Sequence, residues 1–190
     1  TYREYLEERY LSDFDAWRGK YRNPFSDLRG NRRMRNWDDE LRNSQLEADG
    51  IVGEVVFPNT VPPFFPSFVL FARPPKPDEY EHRLAGIRAH NRWLADYCRP
   101  YPDRLFGVAM LPMQDVDQAI DEMTFARKEL GMRGGFLRPN PYNNRLIHDP
   151  VYEPFWKAAE ELDFAIGFHE GAAPGMPQVG VDRFNGRGAQ

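Results

Sequence analysis

The sequence predicts an α/β protein built on a parallel sheet. Apolar runs rich in β-branched residues alternate with amphipathic helical patterns in the order strand, helix, strand, helix, strand, helix, strand. The later units recur about every 30 residues, as a βαβ repeat requires. The runs also end alike, in Pro58-Asn59, Leu111-Pro112, Arg138-Pro139-Asn140 and His169-Glu170. Polar residues therefore collect at the C-terminal ends of the strands, where α/β proteins place their chemistry.

Taken in order, residues 1 to about 46 are aromatic and charged without strand alternation, and Tyr5, Leu6, Tyr10 and Leu11 recur at helical spacing, so short helices and loops are expected. Tyr21 to Arg35 carries Pro24 and Gly30 and reads as a surface excursion. Trp37, Leu41 and Leu46 predict a helix leading to Gly50, which suits a position just past a helix end. The first strand is Ile51 to Phe57, followed by a proline-rich loop over 61–77 that reads as a lid or rim segment, or as a spacer without function.

Asp78 and Glu81 suggest a capping box, and Tyr80, Leu84, Ile87, Leu94 and Cys98 form one apolar stripe. His82 and His90 fall outside it and are expected at the surface; Asn91 falls within it and needs a hydrogen-bond partner or a site to face. Leu105 to Leu111 is the second strand, and Asp115 caps a helix carrying Val116, Ile120, Met123, Ala126 and Leu130, closed by Gly131. Gly134 to Leu137 is the third strand. Asp149-Pro150 opens a helix in which Pro154 fits only the first turn. Phe164 to Phe168 reads as a buried fourth strand opening into His169-Glu170-Gly171.

The net charge of -4 leaves no basic excess for nucleic acid or a membrane surface, and Arg29, Arg32, Arg33 and Arg35 interleave with Asp27, Asp38, Asp39 and Glu40. The single cysteine, Cys98, excludes an intramolecular disulfide, fits a reducing compartment and lies on an apolar helix face as a buried thiol. No apolar run approaches a membrane span and no signal peptide opens the chain, so a cytoplasmic protein is expected.

His169 at a strand end suits a metal ligand or a hydrogen-bonded structural histidine. Glu170 can orient it or act as acid or base, and Arg138 can clamp a substrate carboxylate; for both, a rim salt bridge is the alternative. Asn140 and Asn59, also at strand ends, join Arg138 as substrate-binding candidates.

The runs Asn91-Arg92-Trp93-Leu94-Ala95-Asp96-Tyr97-Cys98, Pro102-Asp103-Arg104-Leu105-Phe106-Gly107, Gly131 to Pro141 and Gly167-Phe168-His169-Glu170-Gly171 occur in this order. Together they resemble the amidohydrolase-related family, in the branch that includes aminocarboxymuconate-semialdehyde decarboxylase. The resemblance covers about residues 46–173; the first 45 resemble the family's helical insertion less distinctly. It implies a partial (β/α)₈ TIM barrel over 47–190, about strands 2 to 5 with their helices, preceded by an insertion over 1–46.

It also implies one divalent metal, usually zinc, a homodimer, and nonoxidative decarboxylation or hydrolysis of a small aromatic or unsaturated carboxylic acid. Of the family's metal ligands only His169 has a counterpart, since no His-x-His occurs anywhere. A zinc site needs three protein ligands, so this chain by itself is expected neither to hold the metal tightly nor to turn over substrate. With Thr1 as its first residue and Gln190 as its last, the chain is expected to be a fragment. The competing readings are a noncatalytic scaffold of the same fold, and a doubly wound nucleotide-binding domain, which lacks a glycine-rich phosphate loop.

Overall fold

A computed structural model describes residues 1–21, 34–58, 60–140, 142–143 and 145–171. Every strand pairing in it is parallel. The strands are β1 (Glu54–Val56), β2 (Leu105–Gly107), β3 (Ala109–Met110), β4 (Gly134–Leu137) and β5 (Ala165–Phe168). β1 pairs with β2 from Glu54↔Leu105 to Val56↔Gly107, and β3, β4 and β5 follow side by side. The run predicted as one strand over 105–111 is thus shared: its first half pairs with β1 and its second with β4. The handover falls at Val108, whose N–H still donates to Val56 O at 3.2 Å. Accumulated strand twist accounts for such a change of partner within one run. The first strand is also shorter than expected, and Val52 before it is 87% exposed.

The helices are α1 (Leu11–Lys20), α2 (Asp39–Ala48), α3 (Tyr80–Cys98), α4 (Val116–Lys128) and α5 (Glu153–Glu161). Their starts follow the expected chemistry in two places. Asp115 accepts from Gln118 N at 3.0 Å at the head of α4, and Pro154 sits in the first turn of α5. The capping box expected from Asp78 and Glu81 is not what starts α3. The chain enters through a 3₁₀ turn, Pro77–Glu79, in which Glu79 accepts from Lys76 N at 3.0 Å. Glu79 wins because Arg73 also grips it, with Nη–Oε distances of 2.6 and 2.5 Å.

α3 is buried almost all round, which overturns the surface placement of His90. Its imidazole is fully buried and Nδ1 lies 2.9 Å from the Tyr2 hydroxyl, which in turn bonds Thr60. Tyr2 and Trp93 pack their rings against it, and Trp37 packs in turn on both of those. The cause is the N-terminal segment, which lies across the helix face that the stripe leaves polar: Tyr5 donates to Asp96 at 2.8 Å and His82 Nε2 meets Asp13 at 2.8 Å. Burial drops His90 to a pKa of about 3, so the ring is neutral.

The expected partner of Asn91 is found. Its Nδ2 donates to Met110 O and to Glu122 Oε1, both at 2.9 Å, and its Oδ1 accepts from Met110 N at 2.8 Å. Cys98 is a buried free thiol, pushed up to about 11. Tyr2, Phe14 and Leu46 join Leu94, Met123, Phe155 and Phe164 in one core between helices and sheet. β5 differs from the buried strand expected: Ala165, Gly167 and Phe168 are exposed, because among the described residues no strand pairs with its outer edge. The excursion expected over Tyr21–Arg35 lies mostly outside the described residues. Among the described residues no helix is long and apolar enough to cross a membrane.

Candidate active site

The parallel register brings two of the predicted residues together. Leu137 pairs with Phe168, so Arg138 and His169 leave adjacent strands side by side, and His169 N donates to Leu137 O at 3.0 Å. The His169 side chain is 32% exposed. Its Nδ1 lies 2.9 Å from the carbonyl oxygen of Glu170. A carbonyl only accepts, so Nδ1 carries the proton and the lone pair stays on Nε2, the form that can bind a metal or take a proton. The ring meets Phe57 edge-on at 5.4 Å, and Phe57 meets Phe136 at 5.8 Å, which fixes one wall. The Glu170 carboxylate lies 3.3 Å from Nδ1 but is 93% exposed, so its hold on the ring is weak.

Arg138 is 9% exposed. Its Nη1 donates to Ala72 O at 2.7 Å and Val69 O at 3.2 Å, and its backbone N donates to the Tyr142 hydroxyl at 3.0 Å. Arg138 thus pins the proline-rich loop from below, and burial lowers its pKa. Gly171 lies against it: a Cβ there would stand 2.7 Å from Arg138 Cδ and 2.7 Å from Leu70 O, so only glycine lets the chain after β5 cross here. Asn140 follows Arg138 and is half-buried. Asn59, the remaining substrate-binding candidate, lies outside the described residues.

The loop after β1 forms a roof over this end of the sheet. Phe65, Val69 and Ala72 pack with Met110 and Phe136 from the strands and Ile87 from α3. Gly86 makes the docking possible, since a Cβ there would lie 2.1 Å from Pro63 O. Phe64 holds a positive φ of 65°, a strained backbone for an aromatic residue, and its ring packs among Tyr10, Phe14, Trp17 and His82. The loop read as lid or rim is therefore packed down on the site.

Sequence reasoning missed Phe57, Tyr142 and, one helix layer back, Arg83. A faint signal for Arg83 existed: Gly86, three residues on and on the same helix face, marks a close backbone approach.

A divalent metal needs several converging ligands. Among the described residues no three His, Cys, Asp or Glu side chains are placed to hold one. His169 offers one imidazole nitrogen, and that does not make a metal site.

Comparison with known proteins settles the family. The sequence pattern of the amidohydrolases matches residues 17–185. The chain belongs to the amidohydrolase family. Within it, the chain is 37% identical over 87 residues to gamma-resorcylate decarboxylase of Rhizobium sp. (strain MTP-10005), covering 43% of this chain and 27% of that enzyme. It is 28% identical over 147 residues to 2-amino-3-carboxymuconate-6-semialdehyde decarboxylase of Dictyostelium discoideum, covering 77% of this chain and 36% of the relative.

Among solved structures, 2,6-dihydroxybenzoate decarboxylase complexed with 2,6-dihydroxybenzoate superposes with a TM-score of 0.54 at 28% identity, over 67% of this chain and 38% of that one. A dihydroxybenzoic acid decarboxylase from Polaromonas sp. JS666, with bound manganese and 2-nitroresorcinol, shares the fold at a TM-score of 0.56 and 18% identity, over 96% of this chain and 47% of that one. The chain spans about a third of the length of the curated relatives it matches.

Proposed function

We propose that this chain is part of an amidohydrolase-family carboxy-lyase that removes CO₂ without oxidation from a small aromatic or unsaturated carboxylic acid. The observation that carries the reading is the adjacency of His169 and Arg138 at the ends of β5 and β4, under an aromatic roof. The decarboxylase relatives support it. In this reading β1, the single run that carries β2 and β3, β4 and β5 are about the second to fifth strands of a (β/α)₈ barrel, and residues 1–46 are an insertion.

In this reading Phe57 and Phe136 offer flat apolar walls to a planar acid and keep water from one side. The Arg138 guanidinium, held by its bonds to Val69 O and Ala72 O, keeps the roof shut and draws an anionic acid toward the site without pairing with the carboxylate that leaves. His169 presents Nε2 with its lone pair, and Glu170 C=O holds that tautomer. Loss of CO₂ leaves a carbanion that must be protonated, and with Nε2 given to a metal that proton comes from a separate general acid or from water. A divalent metal, zinc by family resemblance, is part of the reading with His169 as one ligand; the described residues alone do not hold it. A homodimer in the cytoplasm completes it.

The test is to supply 2,6-dihydroxybenzoate, benzoate and isophthalate to the natural gene product carrying this sequence and follow CO₂ release. Release from one of them, abolished by His169→Ala, is the expected result. An unchanged rate in His169→Ala would remove the role given to that residue, and no release from any acid would favour hydrolysis, the other activity of the family resemblance.

A further inference from the structure

Behind Arg138, under the roof, the protein holds a cavity of about 50 Å³ lined by Phe65, Arg83, Ile87, Phe136, Arg138 and Tyr142 among others. At about 10–15 Å³ per water it has room for three to five water-sized groups. A carboxylate fits that space; a whole aromatic ring does not.

Its charge is lopsided. Arg83 is 4% exposed, and its guanidinium lies over the Phe65 ring at 4.5 Å. Among the described residues it makes no hydrogen bond or ion pair, and its Nε is sealed from solvent without a partner. The Tyr80 hydroxyl, on the same cavity, is sealed and unpartnered too. Glu79 is the carboxylate whose charge acts on Arg83, yet it is already gripped bidentately by Arg73 and capped by Lys76 N. Burial and the like charges of Arg73 and Arg138 pull Arg83 down to about 10. A guanidinium buried in this way is costly unless an anion completes it.

We propose that Arg83, with the Tyr80 hydroxyl, anchors a carboxylate of the ligand in this cavity. The proposal rests on the reading of the site as one for a carboxylic acid, and it narrows the substrate to a diacid. A carboxylate about to leave as CO₂ loses its charge on the way, so a strong buried ion pair to it would stabilise the ground state and slow the reaction. The group on Arg83 is therefore the carboxylate that stays. Arg138 lines this cavity and leaves its strand beside His169, so it joins the anchor to the strand-end site.

The experiment measures binding, so it does not depend on turnover. Isophthalate, benzoate and inorganic phosphate are titrated calorimetrically at fixed ionic strength into the natural gene product and its Arg83→Gln and Arg83→Lys variants, each checked for folding by thermal melting. Isophthalate should bind about tenfold or more tighter than benzoate, from one charge-assisted hydrogen-bonded pair. Arg83→Gln should erase that preference while melting no lower than the parent, and Arg83→Lys should keep part of it. An equal affinity for mono- and diacid in the parent, a preference that survives Arg83→Gln, or phosphate competing as strongly as isophthalate would each overturn the proposal. A diacid preference that depends on Arg83, without CO₂ release from any acid, would instead count against the decarboxylase reading alone.

Discussion

The helix α3 carries buried polar clusters at Asn91 and at Arg83, and they are finished to different degrees. Around Asn91 every group has a partner. The amide bridges Met110 N and O on β3, Glu122 on α4 accepts from Asn91, and Arg92 and Arg88 stand 3.2 and 3.6 Å from the two carboxylate oxygens. Burial pushes the Glu122 carboxyl up while these neighbours pull it back. Two turns earlier, Arg83 has an aromatic ring and empty space. The same helix therefore holds one cluster that closes on itself, which ties layers together, and one that stays open, which is the condition for receiving something else.

The most damaging change should be to the closed cluster. Asn91→Ala strands Met110 N–H and O and leaves Glu122 short of a donor in the core, for a loss of about 3–5 kcal/mol in denaturant unfolding. A loss below about 1 kcal/mol would mean that the closed cluster does not tie the layers.

His90, between the two, gives the next effect through pH. Its folded pKa of about 3 lies below the usual 6.5, so below pH 6.5 the unfolded chain takes up a proton that the folded chain refuses. That contribution is whole above pH 6.5 and fades as pH falls toward 3. Between pH 6.5 and 4.5 the loss is about 2–3 kcal/mol, and His90→Leu should flatten the fall in the unfolding free energy, read from urea titrations, by that much. Equal slopes in parent and variant would show that the histidine is not held neutral.

Smaller, and opposite in sign, is the change at the open cluster: Arg83→Met, removing an unpaired buried charge, should raise stability by about 1 kcal/mol without ligand. Least of all, His169→Ala should shift stability by under about 0.5 kcal/mol, since the ring is a third exposed, while removing activity. A large destabilisation there would make His169 structural.

The strands and helices were legible because their apolar runs and stripes lie within single elements. Asn91 was legible for the same reason, as a polar residue inside a stripe. His90 was not, because what buries it is Tyr2, 88 positions away, and no local pattern announces that contact. The start of α3 misled for a related reason: Asp78 and Glu81 satisfy the pattern, but Arg73 recruits Glu79 from outside it. At the site, His169 and Arg138 were visible as strand ends. The grip of Arg138 on the roof was not, since its acceptors are backbone carbonyls with no sequence signature. Arg83 looked like any arginine on a helix, and only the packed loop above it makes it unusual.

The contact of Gly86 with Pro63 O has one more consequence, for timing. A loop seated that closely, with Arg138 under it and the Arg73–Glu79 pair at its end, has surrendered its conformational freedom during folding. A ligand then arrives at a roof that need not move, so no ordering of that loop is subtracted from its affinity. The corollary is that entry runs past the roof, and larger side chains at Gly86 should slow nothing in closing; they should prop the roof open and shorten the stay of whatever lies beneath.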